Sequence, residues 1–205
     1  MKLDLKTTLA AALFAFAPAL AARAETPEDA RHRGFFLRMH LGGGYLNSSV
    51  RSGPYDVKVD GGAGSFSIAL GGAIGQNLHL YGELVDSIAS SPNRTVNGTS
   101  GTLTNTDYGL LAVGPGVNYY FMPINVYLSG SLLLSRLNIS NSSGNGSSDW
   151  GLAGKFQLGK EWWVSETWGL GIAGMLLASG NGAGGGSPGT FSTWSGAILF
   201  SATYN

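Results

Sequence analysis

The chain has 205 residues with as many basic as acidic side chains, 12 of each, so the basic face that a nucleic-acid partner needs is missing. Charged residues make up 12% of it, about half the share usual in a soluble domain, while glycine occurs 33 times and cysteine never. Disulfides and cysteine-bound metals are thereby excluded.

The first 24 residues carry the pattern of a secretory signal peptide. Lys2 and Lys6 open it, an apolar run follows from Leu9 to Ala21, and Ala22-Arg23-Ala24 supplies the small-x-small site, with cleavage expected between Ala24 and Glu25. Pro18 and Arg23 interrupt what a transmembrane helix of about 20 residues would require. Removal takes three of the 12 basic and one of the 12 acidic residues, leaving a net charge of about −2. Residues 25–33 are a short polar lead-in, and 34–205 form one domain.

That domain alternates. In 34–46, Phe35, Leu37, Met39, Leu41 and Tyr45 share one parity, with Arg38 and His40 on the other. Residues 47–62, rich in Ser, Gly and Asp, read as loop. Strand two, at about 63–74, sets Phe66, Ile68 and Leu70 against Ser65, Ser67 and Ala69. A tight turn at Gly75-Gln76-Asn77 leads to strand three, where Leu78, Leu80 and Leu84 oppose His79, Tyr81 and Glu83. After a polar loop at 87–106, Gly109 to Ser135 is the clearest hairpin, turning at Met122-Pro123-Ile124. Pro115 inside its first strand removes a ladder donor, and the glycines on either side predict a bulge or a tight bend there. A third loop covers 138–149. Strands six, seven and eight follow at about 150–162, 168–179 and 190–204, with a glycine-rich loop before the last.

Eight strands result, and their connections alternate between four long polar loops and three short turns. An all-β, eight-stranded antiparallel up-and-down transmembrane barrel has this plan, with greasy residues turned out to lipid. A soluble barrel would instead line its cavity with bulky apolar residues. Aromatic residues gather at strand ends: Phe35, Tyr119, Phe121, Trp162, Trp168 and Tyr204 at the short-turn end, Tyr45 and Trp194 at the long-loop end. Two such girdles suit the two lipid–water interfaces.

The last residues, from Ala197 to Asn205, place Ile198, Phe200 and Tyr204 at alternating positions. This resembles the C-terminal strand of Gram-negative outer-membrane proteins, which the assembly machinery reads. Taken with the leader and loop plan, the chain resembles small eight-stranded outer-membrane barrels of the OmpA/OmpX type. The resemblance implies an outer-membrane monomer with both termini periplasmic. It also implies contact with outer-membrane lipid, lipopolysaccharide and the assembly machinery.

Candidate sites are few. Some eight-stranded outer-membrane barrels modify lipid, and a nucleophilic triad needs Ser, His and an acid within reach. The mature histidines are His32 in the lead-in and the inward His40 and His79, none of them near the external rim. No His, Asp or Glu cluster has metal-ligand spacing; Asp56 and Asp60 read as solvated loop acids, and no cofactor is expected. Inward charges at Arg38, Glu83 and Lys155 predict a salt-bridged core closing the lumen, with Glu83 joined to both cations. The expected role is non-enzymatic, structural or adhesive, carried by the outer loops. A lipid A-modifying acyltransferase or deacylase and a narrow solute channel remain the alternatives.

Overall fold

The computed structural model describes residues 34–122, 124–142, 144–185 and 189–205, with nothing said of the Ser52 side chain. The leader, its Ala24–Glu25 site, the lead-in, His32 and Pro123 lie outside the described residues.

Among the described residues eleven strands form: β1 (Phe35–Ser52), β2 (Tyr55–Gly75), β3 (Leu78–Ser90), β4 (Asn93–Val96), β5 (Thr99–Thr102), β6 (Thr106–Phe121), β7 (Val126–Asn141), β8 (Gly144–Ser147), β9 (Gly151–Trp163), β10 (Trp168–Gly182) and β11 (Thr190–Tyr204). Eight of them, β1, β2, β3, β6, β7, β9, β10 and β11, pair antiparallel with their neighbours in turn. The ladder between β1 and β11 closes the cylinder. Followed around the wall, the register returns to β1 about ten residues further along, the stagger that tilts strands by roughly 40°.

The alternation sorts cleanly into two surfaces. Odd positions of β1 and even positions of β7 face out, and the outward residues are large and apolar: Leu132 is 77% exposed, Ile198 and Phe200 72% each. A water-soluble surface does not carry such a belt. Hydrocarbon does match it, because closure satisfies the whole backbone and leaves no strand edge on the wall. Ten residues of β1 separate Phe35 from Tyr45, which is roughly 33 Å of strand and roughly 25 Å of height at that tilt. This is the thickness of the apolar band of an outer-membrane barrel.

Two sequence expectations need correction. The first concerns the long loops, three of which continue as hydrogen-bonded ribbon. β1 and β2 run on together until only Gly53 and Pro54 separate them, so most of 47–62 is strand. β4 and β5 form a hairpin inside 87–106, with β4 laid against β2, and β8 folds back on β7. Polar side chains do not prevent a strand whose backbone partners are already held by the barrel below. The second concerns Pro115. The β6–β7 ladder skips Gly114 and Pro115, yet Val113↔Leu134 and Gly116↔Ser131 keep one register, so parity runs through without a bulge. The irregularity lies instead in β2 between Ala73 and Gly75, where it tightens the turn in which Asn77 takes a φ of 59°.

Candidate functional site

Two regions carry side chains capable of more than spanning a membrane: the lumen and the ribbons. The lumen is filled, in two storeys. Towards the short-turn end Arg38, buried on β1, donates from Nε to Thr203 Oγ1 (3.0 Å), from one terminal nitrogen to Asn118 Oδ1 (3.0 Å) and from the other to the Tyr120 hydroxyl (2.5 Å). Its Nε lies 3.2 Å from Glu161 Oε1, and its Cζ lies 3.7 Å from the centre of the Tyr127 ring, a close cation–π contact. Tyr120 and Thr203 pass their own protons on to the two oxygens of Glu161, at 2.7 and 2.6 Å. Arg38 and Glu161 are thus joined directly and through two hydroxyl bridges, which leaves neither buried charge short of partners.

A second pair lies alongside. Lys155 Nζ donates to Glu83 Oε1, while Ser131 Oγ donates to Glu83 Oε2 at 2.8 Å. Of the expected trio, Glu83 and Lys155 meet. Arg38 is not bonded to Glu83; it pairs with Glu161 across the barrel. The parity of Glu161 was legible, but its height relative to Arg38 depends on the stagger of the three ladders that separate β1 from β9 on one side of the cylinder and the five on the other.

His40 sits between the pairs. Its Nε2 meets Gln157 Nε2 (2.6 Å) and the Tyr127 hydroxyl (3.2 Å), and its Nδ1 meets Ser67 Oγ (2.9 Å). With the Gln157 amide donating to Nε2, the ring is neutral and Nδ1–H donates to Ser67. Ser67 and His40 resemble a catalytic dyad only in their atoms. Both are buried, and among the described residues the imidazole is held by Ser67, Gln157 and Tyr127, with no carboxylate bonded to it.

Above the ionic storey the lumen turns more apolar. Leu46, Val85, Leu110, Leu133, Leu137, Met175, Leu177 and Leu199 form one buried cluster, on which Ile139 and Phe191 also pack. The sequence reading kept bulky apolar lining for a soluble barrel, and here part of the lumen of a barrel with an apolar outer face carries it too. Inward leucines stood on the right parity in the sequence but were outnumbered by Ser, Gly and Ala. Large inward rings are fitted in by glycine: a Cβ on Gly159 would overlap the Tyr127 ring, and one on Gly116 the Tyr81 ring. Gly159→Ala should therefore displace Tyr127 from Arg38 and cost about 1–3 kcal/mol. Outward Gly130→Ala, whose new methyl meets nothing nearer than 3.9 Å, should cost far less. Urea unfolding of the two variants in lipid, followed by tryptophan fluorescence, compares them; equal midpoints would refute the packing argument.

The β1–β2 ribbon and the β4–β5 hairpin form one platform, while β8 pairs with β7. Asp56 N donates to Asn97 Oδ1 (2.9 Å) and Asn97 N to Asp56 O (3.0 Å), tying the tip of the β4–β5 hairpin to β2. Asp56 also pairs with Arg51, and Asp60 with Lys58 and the Tyr45 hydroxyl, so these two acids are engaged in ion pairs. β1, β2, β4 and β5 make a four-stranded sheet standing beyond the lipid band. The eight girdle aromatics all lie on the outward parity. Tyr204 lies against both Phe35 and Trp168 at the turn end, Tyr119 meets Phe121 there, and Tyr45 meets Trp194 at the ribbon end. Trp150, 55% exposed immediately before β9, extends the ribbon-end girdle and was missed because it borders a polar loop.

Among solved structures, Neisserial surface protein A is similar at a TM-score of 0.56 and 15% identity, over 83% of this chain and 96% of that one. The fold is that of a small outer-membrane barrel. OprG from Pseudomonas aeruginosa (TM-score 0.45, 16% identity, 82% of this chain and 96% of that one) aligns less well. So does Ail of Yersinia pestis (0.42, 13%, 81% and 97%). The sequence matches no family model and none of the curated proteins with which it was compared.

Proposed function

We propose that this chain is an exported, non-enzymatic outer-membrane barrel that presents its ribbon platform to the outside, with both termini in the periplasm, and acts there in surface attachment. One observation carries the reading. Among the described residues, inward Leu46, Leu110, Leu133, Leu137 and Leu177 pack into one cluster inside the barrel, which leaves the platform as the large polar surface clear of lipid. Binding residues gather on projecting segments held by a rigid scaffold, and here the scaffold ladder runs unbroken into the projection. The leader supports export, and the alternating C-terminal strand supports recognition by the assembly machinery. The similarity to Neisserial surface protein A supports the membrane architecture.

The test replaces residues 93–102 with a two-residue turn. Cells producing the wild-type or shortened protein, and cells producing neither, are compared for attachment to matrix-coated surfaces, with their lipid A profiled by mass spectrometry. Wild type should attach more than the other two, at equal surface amounts and with identical lipid A. Equal attachment by all three would refute the reading, and an altered acyl pattern would establish the enzymatic alternative.

A further inference from the structure

On the outer wall, just below the ribbon-end girdle, lies a groove of about 500 Å³. Its walls are the outward Phe156, Leu176 and Trp194, and its floor is Gly154 and Ala178, which face each other across the β9–β10 ladder. The neighbouring outward residues, Leu152 and Ile198, stand 72% exposed, so the two small residues leave a furrow in an otherwise raised belt. Lipid covers this wall, and what matters is whether one lipid is held.

A charge above the groove selects it. Arg136 is the outward residue of β7 beside Trp150, with its Cζ 5.9 Å from the centre of that ring and its Nε donating to Ser148 O at 2.9 Å. Among the described residues Arg136 enters no ion pair, whereas Arg51 and Lys58 on this side are each matched by an aspartate; Arg94, also without an ion pair, stands out on the β4 hairpin laid against β2, away from the groove. Lys160 lies at the opposite end, donating to Ile124 O. Asp86, also outward, stands on the far flank of Arg136 across Leu111, away from the groove. Down β9 the outward sequence is Trp150, Leu152, Gly154 and Phe156. Trp150 is therefore roughly 13 Å of strand from the groove floor. An anionic headgroup at Arg136 and Trp150 would send an acyl chain past Leu152 and into the furrow.

We infer that Arg136, Trp150 and the Gly154–Ala178 groove form a binding site for a phosphorylated, acylated lipid of the outer leaflet, its phosphate on the guanidinium and one chain in the groove. The inference rests on the ribbon end lying in that leaflet, as proposed above. Guanidinium groups suit phosphate because they offer paired N–H donors.

Native mass spectrometry of the mature barrel released from detergent micelles tests it, using bisphosphorylated hexa-acyl lipid A and the same lipid after dephosphorylation. Wild type should retain the phosphorylated form about tenfold more, the scale of one charge-assisted hydrogen bond. Arg136→Gln should abolish that preference. Gly154→Leu fills the groove without a clash, since a Cβ there meets nothing within 4 Å, and should lower retention of both lipids; Ala178→Leu is a second way to fill it. Gly64→Leu, equally unobstructed but on β2, should change nothing. Equal retention of the two lipids by wild type would overturn the site, as would Gly154→Leu and Gly64→Leu behaving alike. Because micelles have no sidedness, this result stands apart from the orientation, which protease trimming of the ribbons on intact cells reads separately.

Discussion

Glu161→Ala should lower the unfolding free energy of the barrel in lipid by about 3–5 kcal/mol, the cost of leaving a buried partner charge unmatched. Arg38 would keep Asn118 and the two hydroxyls, but Tyr120 and Thr203 would lose the acceptor that orients their protons. Glu161→Gln should cost less, since it keeps an acceptor for one of them. Replacing Arg38 and Glu161 together with leucine should recover much of the loss, because it removes both charges at once. Planar-bilayer conductance should stay at baseline in all of these variants, because the leucine storey above still blocks the lumen. A Glu161→Ala barrel as stable as wild type would mean that water reaches Arg38 and the ionic storey is wet.

The second large effect contrasts two neighbours on β7. Leu132 is 77% exposed and Leu133 is 2% exposed within the apolar cluster. Leu132→Arg should cost about 2–4 kcal/mol near the bilayer midplane, less towards the interface, and still yield a folded barrel. Leu133→Arg puts an unpaired charge among packed leucines and should prevent folding. Heat-modifiable mobility on gels distinguishes folded from unfolded barrels. A Leu132→Arg protein unaffected in lipid would mean that this face is not in hydrocarbon, and the inside-out assignment would fail.

How much of this could be read from the sequence follows from which forces are local. Parity is local: a period of two placed Arg38, Glu83, Lys155 and the eight girdle aromatics on their proper faces, and Pro115 did not shift it. The count of eight wall strands was also legible, because each carries its own greasy face. The ribbons were not. Asn93–Val96 and Thr99–Thr102 have no apolar face to announce them, and they form strand because β2 offers a partner backbone. Cross-lumen pairing was hidden for another reason. The match of Arg38 with Glu161 depends on stagger accumulated around the cylinder, and no window of sequence carries that sum. The groove was equally invisible, since Gly154 and Ala178 belong to different strands and become neighbours only in register.

The ion pairs also bear on how such a barrel is made. Both anchoring partners on the later side, Lys155 and Glu161, come from the single strand β9, while Glu83 and Arg38 come from β3 and β1. A nascent chain that had inserted only its first hairpins would carry one lone acid and one lone base with nothing opposite. Neither charge could be withdrawn from water until β9 arrived. Biogenesis should therefore keep the early strands hydrated, or held by a helper, and commit them to the bilayer with the C-terminal hairpins. A chain truncated before Gly151 should accumulate as a soluble, chaperone-bound species in place of a partial barrel.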